Sequence, residues 1–167
     1  MFRTIEDFLT IWKYESESTQ KLLDTLTDAS LAQEVTAEGR TIGRLAWHIV
    51  TTVHEMVSRT GLEFEGAKHE GPLPTSAIAI VKAYQLSNEA MISAIQNNWT
   101  DAILSDEHDM YGERWTVATI LQILVFHQIH HRGQLTVLMR QAGLRIPGVY
   151  GPTREEWAEF GMEAPEV

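Results

Sequence analysis

Cysteine is absent from the 167 residues. That excludes disulfides, thiolate zinc sites and a cysteine nucleophile. Any soft or redox chemistry must then come from a bound ion or from a substrate. Positive charge is scarce as well: 13 Lys and Arg against 23 Asp and Glu leave a net charge of −10. Phosphate binding rests on clustered cations, so nucleic acid is not an expected partner, and docking on anionic lipid is disfavoured on the same ground. No apolar run approaches the roughly 20 residues that span a bilayer. The opening stretch, Met1 to Thr10, places its acids ahead of any apolar run that an export signal would need. A soluble, cytoplasmic protein is expected. Gly-rich phosphate loops, Gly-x-Ser-x-Gly elbows and dinucleotide fingerprints are missing too.

Apolar residues make up 44% of the chain and charged residues 22%, average values for a soluble domain with a sizeable core. Four long helical patterns emerge, with most Gly and Pro falling between them. The first runs from Thr4 to Leu26. Its seam of Ile5, Leu9, Trp12, Ser16, Thr19, Leu23 and Leu26 alternates steps of four and three, which keeps one face on a neighbouring helix. Thr4 and Asp7 have the spacing of a capping box. Ser16 and Thr19 are polar breaks in that seam, either bordering a cavity or simply tolerated there. The second pattern spans Thr41 to Arg59, and Gly61 to Pro74 reads as a long loop. The third follows a cap at Thr75 or Ser76 and carries Ile78, Val81, Tyr84, Leu86, Met91, Ile92 and Ile95 to Asn98. Between His108 and Trp115 the chain reads as a small hairpin or an irregular loop. The fourth pattern begins near Thr116 and stops at Gly143, and a short tail helix is expected from Thr153 to Phe160. Four long helices without alternating strands predict one all-α domain, a four-helix bundle, over residues 1–167.

Seven histidines are present: His48, His54, His69, His108, His127, His130 and His131. On the fourth helix Ile120, Leu124, His127, His131, Gln134 and Leu138 share the core-directed face. His127 and His131, one turn apart, can converge on a single ion; two core histidines satisfied by carbonyls or carboxylates are the plainer alternative. His130 is rotated to the edge of that face. His48, between Leu45 and Ile49, supplies a third nitrogen from a facing helix. Three histidines with an open fourth position are the arrangement of a catalytic zinc centre, and all-nitrogen ligation suits nickel equally. His54-Glu55 lacks the second histidine of the zincin helix, since position 58 is Ser58. His69 and His108 are expected to face solvent. Glu155-Glu156 reads as a solvated acidic pair. The five tryptophans read as core or loop anchors, with Trp47 also placed to line a pocket.

His127-Gln-Ile-His-His131-Arg132-Gly133-Gln134 resembles the His-x-x-x-His-Arg-Gly-Gln signature of the DinB/YfiT-like family. The segment from Arg40 to Ile49 resembles the stretch carrying that family's other histidine, and Tyr150 to Trp157 resembles its tail. The resemblance covers essentially the whole chain. It implies an up-down-down-up four-helix bundle, usually a homodimer, with one divalent ion, zinc or nickel, held by His48, His127 and His131. Arg132 and Gln134 would then have structural roles or support the ligands. His130 occupies a position that is often aromatic in relatives, and it is the candidate proton shuttle. Better-understood relatives include metal-dependent thiol transferases and maleylpyruvate isomerases that use low-molecular-weight thiols. The implied activity is activation of an external thiol for transfer to a small electrophile. Hydrolysis by a metal-bound hydroxide, and a non-enzymatic, stress-linked metal-binding role, are the competing expectations.

Overall fold

Thr4 starts the first helix as its spacing to Asp7 predicts. In a computed structural model, which describes residues 2–166, the Thr4 hydroxyl accepts from the Asp7 N–H, and the Asp7 carboxylate accepts from the Thr4 N–H. Helix α1 is Ile5–Asp24. Every position of the expected seam is buried except Leu9, which is half-buried, and Phe8, Glu15 and Leu22 are buried beside it. A short 3₁₀ turn, Asp28–Ala32, leads to α2, Ile42–Ser58, whose N-cap Thr41 accepts from the Arg44 N–H. Helix α3 is Ala77–Asn98. Ser76 stands at its N-cap position, yet the Ala77 N–H is taken by Asp28 Oδ1 at 2.7 Å. Helix α4, Val117–Gln141, begins behind Thr116 and ends where Gly143 adopts φ +75°, the left-handed conformation that glycine takes at low cost.

Helices α1 and α2 occupy diagonal corners, each packing on both α3 and α4. The Ile5 N–H donates to Asp101 Oδ1 at 2.8 Å, which ties the start of α1 to the end of α3. Asp28 ties the other end of α1 to the start of α3, so these two are antiparallel. Beside the same turn the Ile42 N–H donates to the Gln33 carbonyl, and α2 therefore descends with α3. The Val117 N–H donates to the Asp106 carbonyl, just past the end of α3, so α4 climbs back with α1. The order is up-down-down-up. One apolar core runs between the helices, with Trp12, Ile49, Tyr84, Met91 and Leu124 fully enclosed.

Several expectations change at the periphery. The stretch before α4 is the hairpin, with β1 Glu107–Met110 antiparallel to β2 Glu113–Thr116. Tyr111 and Gly112 both take positive φ in its two-residue turn, which matches the twist of the strands. The Tyr111 hydroxyl donates to Glu55 Oε2, and the Arg59 guanidinium covers the ring at 4.6 Å. His108 is not solvent-facing: it is half-buried opposite Trp115, with its Nε2 enclosed. Ile78 and Leu86 are exposed, because the inward face of α3 is set by Ile80, Tyr84, Ser87, Met91 and Ile95. The tail helix shortens to the 3₁₀ turn Trp157–Phe160. Glu155 is exposed as expected, though paired with Arg140, whereas Glu156 is half-buried and accepts from the N–H groups of Gly148 and Thr153. Among the described residues, no helix is long and apolar enough to cross a membrane.

Candidate metal centre

His48 sits in the second turn of α2, and His127 and His131 lie one turn apart on α4, so antiparallel packing of these two helices sets the three rings face to face. The Nε2 atom of His48 is 3.0 Å from that of His127 and 3.2 Å from that of His131. Ring centroids stand 4.3 to 4.7 Å apart. Three imidazole nitrogens at about 2.0–2.1 Å from a tetrahedral ion would stand about 3.3 Å from one another, close to the separations observed. These three residues can hold a metal ion. The donor set is all nitrogen, as zinc or nickel accepts.

Protonation favours the same reading. Burial pushes His48 down to about 4, with Arg40, His131 and His69 adding to the effect. Burial likewise pushes His127 down to about 3, reinforced by the neighbouring histidines and Arg40. His131 is lowered as well, chiefly by burial, against an opposing hydrogen bond from Gln134. Neutral imidazole is the form that binds a metal. Gln134 Oε1 lies 2.8 Å from His131 Nδ1. If that ring nitrogen carries the proton, as acceptance by a carbonyl oxygen requires, Nε2 presents a lone pair to the centre. The Gln134 Nε2 is in turn 3.2 Å from His130 Nε2. His130 is exposed, at the edge of the helix face, and does not join the cluster. Gln134 is exposed too, so the α4 face turns outward at that position.

Each α4 ligand is followed by a buried polar residue. Gln128 is fully buried; its Oε1 accepts from Tyr84 Oη at 3.2 Å, and its Nε2 donates to the Ile49 carbonyl at 3.1 Å. Arg132 is buried and pairs with buried Glu15 at 2.5 Å, while a second guanidinium nitrogen donates to the Glu15 carbonyl. The Tyr150 hydroxyl, from the tail, lies within 2.9 Å of both Glu15 carboxylate oxygens and accepts from Arg132. Thr19 belongs to this network, and buried Ser16 donates to the Lys13 carbonyl, so both polar breaks of α1 are satisfied within the fold. Of this network, residue type and spacing point to Arg132 and Thr19 alone; Gln128, Glu15, Tyr84 and Tyr150 join it only in the folded chain, although a glutamine four positions after Leu124 on a long apolar helix is a signal of its own.

Two openings reach the cluster. One, of about 460 Å³, meets His131 and is walled by Val35, Leu45, Val137 and Leu138. The other, of about 390 Å³, meets His48 and is lined by Arg40, Arg44, Trp47 and His69. Trp47 lines a pocket as expected, and His69, though exposed, lines it too.

The family model for the DinB family matches residues 1–166. The chain belongs to the DinB family. It is 46% identical to protein YrdA of Bacillus subtilis (strain 168) over 167 residues, the full length of both. It is also similar to a DinB-like protein of Bacillus cereus ATCC 10987 whose crystal structure is known. That match has 52% identity and a TM-score of 0.87, covering 90% of this chain and all of the other. A second crystal structure, of the DinB-like protein YjoA from Bacillus subtilis, shares the fold at 22% identity and a TM-score of 0.64, over 82% of this chain and 92% of that one.

Proposed function

We propose that this DinB-family chain is a metal-dependent thiol S-transferase, with zinc or nickel held by His48, His127 and His131. The observation that carries the reading is the convergence of three neutral imidazoles where two separate openings meet. A site serving only to stabilise the bundle has no use for two openings. The chain has no cysteine, so a sulfur nucleophile must arrive as a co-substrate. The ion would favour the ionised form of that thiol. The chain's own residues supply the rest. The pockets bring two reactants together, and the apolar walls of the one at His131 limit water there. In the reaction, sulfur bonds to the electrophilic carbon, and the bond from that carbon to its leaving group breaks with its electron pair. The thiol proton leaves to solvent, and His130, exposed beside His131, is the candidate base at the rim to receive it. No carboxylate lines either opening, which leaves a hydrolytic mechanism without its usual general base.

Elemental analysis of tag-free protein tests the centre directly. About one zinc or nickel per chain is expected, and it should be lost in a His127→Ala, His131→Ala double variant. Absence of stoichiometric metal even after reconstitution would sink the proposal. Cobalt-substituted protein then tests the chemistry: added thiol should produce a sulfur-to-cobalt charge-transfer band, and an unchanged spectrum would refute the thiol assignment.

A further inference from the structure

The two openings differ in chemistry. At His131 the walls are aliphatic, whereas at His48 the lining carries Arg40, Arg44 and His69 and no acid. This concentration of cations stands out on a chain with only 13 Lys and Arg against 23 Asp and Glu. Arg59, Arg114, Arg132, Arg140 and Arg145 all pair with carboxylates. Arg40 and Arg44 pair with none among the described residues. They flank the Thr41 cap and line the same cavity. Two guanidinium groups facing one space repel, and an oxyanion between them would remove the repulsion while meeting their fork of donors. Arg40 also lines the opening at His131, so it borders both approaches to the cluster. An anion held there is therefore within a small molecule's length of the metal centre.

We propose that Arg40 and Arg44 form an anion subsite that selects a carboxylate-bearing thiol, with the apolar pocket at His131 left to the electrophile. The assignment rests on the thiol-transfer reading above and gives its two reactants separate approaches. The anionic group docks at the arginines and the sulfur reaches the centre from the His48 side. An electrophile with an apolar body meets it from between Leu45, Val137 and Leu138.

The test is calorimetric titration of the metal-loaded protein with three probes: 3-mercaptopropionate, 2-mercaptoethanol and propionate. The charged thiol should bind about tenfold or more tightly than the neutral one, as charge-assisted hydrogen bonds imply, and added salt should shrink the difference. In an Arg40→Gln, Arg44→Gln double variant the preference should vanish, while metal content and affinity for 2-mercaptoethanol persist. Each single variant is titrated beside it, so a misfolded double variant does not decide the matter; each should lose part of the preference. Equal binding of both thiols to the unmodified protein would overturn the subsite and leave the thiol reading standing. Arginine-dependent binding of 3-mercaptopropionate no tighter than that of propionate, with no binding of 2-mercaptoethanol, would keep an anion site and overturn the thiol reading. No binding of any probe would overturn both.

Discussion

At the scale of single residues, the three clustered histidines rest on groups outside the cluster. Arg132 follows His131 in the chain and is held from beneath by Glu15 on α1 and Tyr150 of the tail. A buried charge stripped of its partner is costly, about 3–5 kcal/mol. Glu15→Gln should therefore destabilise the protein by roughly that amount in a urea titration, whereas joint replacement of Glu15 and Arg132 by Leu and Met should cost much less. An equal loss in both variants would show that the pair contributes more than mutual neutralisation. Much of the centre is legible from residue type and spacing: His127 and His131 at i and i+4, and His48 between Leu45 and Ile49, all reach the cluster. The supporting network is not legible. Glu15 is separated from Arg132 by 117 positions, and in a chain this acidic one glutamate carries no mark of burial. Tyr150 is equally silent, because the carboxylate it meets lies 135 positions away on α1.

Secondary structure elements show the same division. Helix boundaries are readable because they rest on local chemistry: Thr4 caps as its spacing to Asp7 predicts, and Thr41 and Thr116, where the second and fourth patterns begin, cap as well. Helix α3 is the exception. Its Ser76 makes no capping bond because Asp28, from a distant turn, supplies the acceptor, and its apolar residues point both ways. Exposed Ile78 and Leu86 cannot be told from buried ones until the neighbours of α3 are known. At the same end of the bundle, Gly143 closes α4 with φ +75°. A β-branched side chain is poorly tolerated there, and Gly143→Val should lower stability by about 1–2 kcal/mol. Gly143→Asn should cost less, since asparagine visits this conformation more readily. Thermal melts of the two variants distinguish a conformational effect from loss of packing, because an added Cβ meets nothing within 4 Å.

For the molecule as a whole, the buried imidazoles link stability to pH. In metal-free protein, His48 titrates near 4 and His127 near 3, against 6.5 for an unperturbed histidine. As pH falls, the unfolded chain takes up these protons first, so their contribution is complete above about 6.5 and drains away toward pH 4. The metal-free melting temperature should accordingly drop between pH 7 and pH 5, and His48→Gln with His127→Gln should flatten that interval. A slope unchanged by the substitutions would place its origin elsewhere. The up-down-down-up order has a further effect, on timing during synthesis. Its second helix holds His48, and His127 and His131 wait for the fourth, so the three imidazoles cannot converge before α4 itself has been made. Any ion that the three imidazoles hold is therefore selected only once α4 has packed on α2, and the earlier helices emerge without that choice.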